Sequence, residues 1–273
     1  MTTTVEQMEK PLERLRVAFS TRKARAFLVV ASITVMIAVL LALFVALDLV
    51  NYFDGFVEGV TITLFLYVFA ITFGFGVGLV MAITRVYGGP VLSRIATGYI
   101  EVIRGTPVVT QIIILAFLPD TINIFLNAQG LEPIPLSQGL IFVMCALCLG
   151  MNSSAYQAEF FRGSITSISS GQMMAAKAIG MSRLQSIRQI VLPQSLRRVI
   201  PAWSNEASYL PKVTTAAYIV GVSEVFSWAK QTVSFTFRTL EIYALVALFF
   251  IILIMFVTWL LDSIYDEIKI PGL

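Results

Sequence analysis

Two groups of polar residues in this sequence stand inside otherwise apolar stretches, where their types and spacing could do chemistry. The first is Asn205, Glu206, Ser208, Tyr209 and Lys212. Ser204, Ser208 and Lys212 fall at i, i+4 and i+8, with Asn205 and Tyr209 on the adjoining stripe, so a helix here would carry one polar face. Glu206 with Asn205, Ser208 and Lys212 could offer an acceptor for an ammonium and a donor for a carboxylate, the two things a zwitterion needs. The second group is Glu101, Arg104, Pro107 and Gln111. Pro107, Pro201 and Pro211 each remove a backbone hydrogen bond and free a carbonyl at a bend. Glu206 has two readings: a structural acid paired to a neighbouring helix, or part of a translocation path. The clustering favours the path.

Other chemistries find little support. The chain has no His, and Cys145 and Cys148 lie in the apolar run 141–149, which argues against a disulfide framework and against imidazole or thiolate metal sites. The two thiols read as small apolar fillers, and no metal is expected. A Gly-x4-Gly-Lys-Ser/Thr phosphate loop is missing, so ATP hydrolysis would belong to another polypeptide. No acid dyad or nucleophile pair suggests an intramembrane enzyme.

The elements that must position these residues follow from composition. Of the 273 residues, 58% are hydrophobic and 13% charged, with a mean hydropathy of +0.86; a soluble domain has about 25% charged residues. Stretches of the roughly 20 apolar residues that a membrane helix needs occur at 27–49, 57–84, 95–118, 136–161, 199–222 and 240–264. The apolar run 26–47 is longer than the ~7–15 residues of a cleaved signal, so it reads as a retained helix. Both polar groups then fall within spans. A charge near mid-membrane costs about 2.5–3.5 kcal/mol even on a lenient scale, so these groups must face protein or a wet cavity.

Lys and Arg accumulate in short cytoplasmic loops. Here they crowd the tail (Lys10, Arg14, Arg16, Arg22, Lys23, Arg25), the connection with Arg85 and Arg94, and the segment 162–198, whereas the alternate connections hold only Lys230 and Arg238. The expectation is an all-α, polytopic membrane protein with six spans and both termini cytoplasmic. It divides into a basic tail (1–26), a first helix (27–49), a main domain (56–265) and a C-terminal tail (266–273).

The connection 162–198 is far longer than the ~2–8 residues that tie neighbouring helices. Gln172 to Ile179 favours helix, Gly180 suits a left-handed stop, and Ser182 can cap a second short helix that ends at Leu192 and Pro193. Short helices around a glycine elbow, presenting small and apolar residues such as Met173, Met174 and Ala175, suit docking into a protein groove better than contact with lipid head groups.

Ala175-Ala176, three residues, Gly180, nine residues, then Ile190-Val191-Leu192-Pro193 resembles the EAA loop of ATP-binding cassette (ABC) importer permeases of type I, with Met174 in place of the usual Glu. Arg104-Gly105-Thr106-Pro107 with Gln111, Ser154 to Glu159 with Arg162-Gly163, Gly171-Gln172, and Leu192 to Arg197 are similar to the polar amino acid permeases of the histidine, glutamine, arginine and opine group. The resemblance covers about 56–265 and leaves the helix 27–49 as an addition to a five-helix core.

The resemblance implies an alternating-access importer in a prokaryotic cell membrane. Two permease subunits, identical or sister chains, would form the pathway. Separate ATPase subunits holding ATP-Mg would grip Met173, Met174, Ala175, Ala176, Gly180, Ile190, Leu192 and Pro193, and an extracytoplasmic binding protein would deliver an amino acid. This chain would bind no cofactor and no nucleic acid. Asn205, Glu206, Ser208, Tyr209, Lys212, Gln111 and Asn152 would line the substrate pathway, and Arg104, Pro107, Glu159 and Arg162 would serve structure or gating. Asn205-Glu206 match the family's pair, and Lys212-Val213-Thr214-Thr215 match its Lys-Asp-Thr-Ser stretch except at Val213. That lost acid leans the cargo away from cationic amino acids. A channel or secondary transporter also breaks its helices with polar residues, but has no use for the long cytoplasmic segment.

Overall fold

The computed structural model describes residues 22–135 and 137–268, and the regular elements among them are helical. The first is α1 (Arg22–Ala46), which ends in a turn where Asp48 takes a left-handed φ of 52°. After a 3-10 turn (Val50–Tyr52) comes α2 (Phe53–Tyr87), whose 35 residues span about 52 Å at roughly 1.5 Å each. The hydrocarbon core is only about 30 Å thick, so α2 must tilt or project beyond it.

The expected span 95–118 is not one helix. It divides into α3 (Pro90–Gly105) and α4 (Val108–Ala128), with Thr106 and Pro107 extended between them. Proline disfavours helical backbone in the residue before it, and Thr106 accordingly sits at φ −114°, ψ 142°. Next is α5 (Gln138–Thr166), capped by the Ser137 hydroxyl, which accepts from the Leu140 N–H at 3.1 Å; the expected start, Leu136, lies outside the described residues.

Two short helices follow, α6 (Ser170–Ala178) and α7 (Arg183–Ser186). Gly180 between them has the left-handed φ of 83°, and Ser182 and Gln185 form a reciprocal capping box. The chain was expected to break at Leu192 and Pro193. Instead it runs through a π turn (Ile187–Val191) straight into α8 (Leu192–Val213). Pro193 has no N–H, and in an α-helix its ring would crowd the carbonyl four residues back; the wider turn, closed by Leu192 N–H to Ile187 O, makes room. The span expected at 199–222 thus starts earlier and finishes as a 3-10 segment (Thr214–Val220) that stops at Gly221, φ 85°.

The chain then forms α9 (Val225–Thr236) and α10 (Thr239–Ile268), so helix persists into the expected tail 266–273. Residues 1–21 and 269–273, the remainder of the two expected tails, lie outside the described residues. Among the described residues, five stretches are long and apolar enough to cross a membrane: Ala26–Ala46, Val50–Tyr87, Val108–Ala128, Gln138–Thr166 and Thr239–Glu267.

The tightest pairing is between α2 and α5. A Cβ on Gly78 would lie 2.8 Å from the Ser154 carbonyl oxygen, and one on Gly74 would overlap Gln157 Nε2. These glycines, four residues apart, let the backbones close on each other as small residues do between membrane helices. A central apolar cluster includes Leu66, Leu149 and Leu210 together with Cys145 and Cys148, which are buried there as fillers. At the α9 end, Phe44 of α1 packs on Phe56 of α2 and Trp228 of α9 with ring centroids 5.0–5.8 Å apart. At the α6 end, Phe161, Ile165, Val191 and Val199 form a third cluster.

Candidate functional site

The break between α3 and α4 is held by a side chain from the next turn. In an unbroken helix the N–H of residue 107 would satisfy the Ile103 carbonyl, and proline has none. Gln111 Nε2 donates to Ile103 O at 2.7 Å and to Thr106 Oγ1 at 2.7 Å in its place, while Gln111 Oε1 accepts from Asn152 Nδ2 at 3.1 Å. Both amides are buried, so Gln111 and Asn152 fasten a helix break to α5.

From Ser153, the next residue of α5, a second network extends. Trp203 Nε1 donates to Gln157 Oε1 at 2.7 Å, and Gln157 Nε2 donates to Ser153 Oγ at 3.0 Å and to Ile71 O at 3.1 Å. Ser153 Oγ then donates to Glu206 Oε1 at 2.9 Å. A hydrogen-bonded chain thus crosses from α2 through α5 to α8 and ends on a carboxylate that is 6% exposed.

The structure divides the expected polar face of α8. Glu206 turns inward to α5, the Ser208 and Thr258 hydroxyls of α8 and α10 hydrogen-bond at 3.2 Å, and Ser204 donates to its own helix at Ile200 O. Asn205, Tyr209 and Lys212 remain, exposed on one stripe at i, i+4 and i+7, with Lys212 Nζ 5.8 Å from the Tyr209 ring centroid. Glu206 is therefore separated from Asn205 and Lys212, with which it was expected to line the substrate pathway. Val213 is buried in the central apolar cluster rather than on the open stripe, so its replacement of an acid takes no charge from that stripe.

Toward the α6 end, Glu159 Oε2 accepts from Arg162 Nε at 3.0 Å and Nη2 at 2.8 Å, while its other oxygen pairs with Arg85 of α2. Arg85 also reaches the exposed Glu101 of α3 at 3.7 Å, and Arg104 lies over the Tyr156 ring, 5.2 Å from its centroid. The Glu159–Arg162 spacing of i, i+3 is legible in the sequence. Arg85 as the third member is not, because its place comes from α2 packing on α5.

The segment 170–186 is exposed but two-sided. On α6, Met174 and Ala175 point outward, whereas Gln172 and Met173 are half-buried and Ala176 is buried. Only part of the expected set Met173, Met174, Ala175 and Ala176 therefore faces out. Ile179 and Leu184, which sequence reasoning did not single out, are 78% and 75% exposed and extend the outward apolar surface on either side of Gly180. Ile190 and Leu192 are half-buried, in the π turn and the first turn of α8; Pro193 is exposed.

Sequence reasoning also missed Ser153, Gln157 and Trp203, although the first two stand at i, i+4 within α5. It missed Glu224 as well, a fully buried residue whose carboxylate caps α9 by accepting the Phe226 and Ser227 N–H groups at 2.8 Å each.

Comparison with known proteins gives the family of the chain. The family described as binding-protein-dependent transport system inner membrane component matches residues 74–269. The glutamine transport system permease protein GlnP of Escherichia coli (strain K12) is 33% identical over 215 residues, which cover 78% of this chain and 93% of GlnP. The probable amino-acid permease protein YxeN of Bacillus subtilis (strain 168) is 30% identical, covering 81% of this chain and 91% of that protein. Among solved structures, an amino acid ABC transporter crystallised with histidines is similar at a TM-score of 0.68 and 29% identity, over 81% of this chain and 97% of that one. A bacterial ABC transporter involved in alginate import shares the fold at a TM-score of 0.65 and 16% identity over 97% of this chain, a span that takes in α1.

Proposed function

Because the chain belongs to the family of binding-protein-dependent transport system inner membrane components, it is the permease subunit of an ATP-driven importer, and we propose that its cargo is a polar amino acid moved by alternating access. Family membership implies an ATPase and a substrate-binding protein as partners. ATP hydrolysis resides on the separate ATPase chain, and this chain works as a transport subunit within a membrane. In the finer reading the membrane is that of a prokaryotic cell, α8 counts as a sixth span, the termini are cytoplasmic, and a second permease copy or a sister chain completes the pathway. This chain then binds no cofactor, and ATP-Mg stays on the ATPase.

The observation that carries the reading is the exposed helix–elbow–helix of α6 and α7, continuous through the π turn with α8. Its outward Met174, Ala175, Ile179 and Leu184 supply an apolar docking surface for the ATPase. A push on the α7 side of that surface, at Leu184, reaches α8 directly, because α7, the π turn and α8 follow one another without a loop. Rigid-body tilting of this kind suits an interface that alternates between two packings.

For cargo, the open stripe of Asn205, Tyr209 and Lys212 supports recognition of a carboxylate. Its charged member is an ammonium, which keeps the lean toward neutral or acidic amino acids, now on the ground of Lys212 rather than Val213. Gln111, Asn152 and Glu206 would shape the pathway wall from behind. The deciding experiment purifies the complex with its ATPase and binding protein and asks which amino acids stimulate ATP turnover. Stimulation by arginine or histidine but not by glutamine or glutamate would overturn the cargo reading, and failure of any ATPase to co-purify would overturn the importer reading.

A further inference from the structure

We propose that Gln172 and Gln194 are positioning residues whose hydrogen bond makes α6 and the start of α8 move as one body, and so sets how much substrate passes per ATP hydrolysed. The proposal rests on the permease reading above. At nine residues, α6 is shorter than the ~12–15 at which an isolated helix becomes even marginally stable, so its orientation must come from what it touches. Met173 packs against the apolar cluster around Phe161, Ile165 and Val191. Apolar contact is non-directional and lets one surface slide on another.

The glutamine pair supplies direction. Gln194 Nε2 donates to Gln172 Oε1 at 2.6 Å in a part-buried setting, joining α6 to the first turn of α8. That turn is itself fixed to α5: Ser164 Oγ donates to Ser195 O at 2.5 Å, and Arg198 Nη1 donates to Ser167 O at 3.1 Å. The other side of the elbow is held elsewhere, since Arg183 Nη2 on α7 donates to Tyr87 O at the end of α2, at 3.1 Å. Gly180 sits between the two attachments with nothing within 4 Å of where a Cβ would be. Displacement of α6 therefore reaches α8, the helix that carries Trp203, Glu206 and the open stripe, through this directional side-chain bond as well as through the elbow, where Met181 N–H donates to Ala176 O at 3.0 Å.

The test reconstitutes the full complex of permease, ATPase and binding protein in vesicles and measures uptake and ATP hydrolysis together, with a mixture of the common labelled amino acids as probe. Gln172→Ala and Gln194→Ala should each lower uptake per ATP by roughly twofold to tenfold, the range that loss of one side-chain hydrogen bond allows. ATPase should stay bound, and the double variant should be no worse than either single one. Gln172→Glu combined with Gln194→Lys should restore the ratio. An unchanged ratio in either single variant, with the complex assembled, overturns the proposal. If a single variant fails to assemble, the charged pair decides alone: a restored ratio supports the proposal and an unrestored one overturns it. Loss of ATPase from the unaltered permease would instead sink the permease reading.

Discussion

Ser153 donates to Glu206 Oε1 at 2.9 Å, and that bond turns the carboxylate into the bundle while Asn205 and Tyr209, on the same helix, stay exposed. Glu206 is thus the end of a relay of donors rather than a free group on the open stripe. Any influence it has on transport passes through the position of α8 relative to α5.

Glu206→Gln keeps an acceptor for Ser153 and nearly the same volume, so the complex should assemble with a melting temperature close to that of the parent. Uptake should fall, because the amide cannot hold the relay with the strength of a carboxylate. Normal uptake kinetics in this variant would make Glu206 a purely structural residue.

Gln111→Leu removes the donor that replaces the missing N–H of Pro107 and leaves the Ile103 carbonyl only the long contact from Thr106 Oγ1 at 3.5 Å. The expected destabilisation is about 1–3 kcal/mol, the range for a buried polar group stripped of its partner. Thermal unfolding in detergent reads it directly, and an unchanged melt would mean the α3–α4 break is held by packing alone.

Gly78→Val forces side-chain atoms into the Ser154 carbonyl, 2.8 Å from where the Cβ would sit. It should cost about 1–3 kcal/mol, as overpacking of a tight contact does, and lower the yield of assembled complex. Gly76→Ala meets nothing within 4 Å and removes a helix-interior glycine, so it should be neutral or stabilise by up to about 1 kcal/mol. Equal effects of the two on the melting temperature would show that the α2–α5 contact is looser than the geometry requires.

Gly180→Asp places a Cβ at φ 83°, a left-handed site that costs a side chain roughly 1–2 kcal/mol, and adds a charge beside the apolar surface of Met174, Ile179 and Leu184. Membrane insertion should persist while ATPase association and transport are lost. Co-purification of the ATPase at the parental level together with normal uptake would remove α6–α7 from the docking role.

Much of this protein was legible from its sequence, because the signals concerned are local. Apolar length gave the helical spans without reference to any neighbour, and Gly180 and Ser182 marked an elbow and a cap whose geometry depends on a few adjacent residues. The interval from Ala175 to Pro193 carried the family resemblance for the same reason. Even the break at Pro107 was half visible, since proline acts on the residue before it, although the extended Thr106 and the splitting of the span into α3 and α4 were not foreseen.

What the tertiary structure decided is which way the polar groups face and what holds them. Helical periodicity placed Ser204, Ser208 and Lys212 near one another on α8, but α5 and α10 packing on different sides of that helix drew Glu206 to Ser153 and Ser208 to Thr258 and left Asn205, Tyr209 and Lys212 open. The same holds for Arg85 with Glu159, Gln111 with Asn152, and Gln172 with Gln194, pairs separated by 74, 41 and 22 residues. A hydrogen bond is directional and short in range, so partners that distant along the chain meet only after the helices have packed.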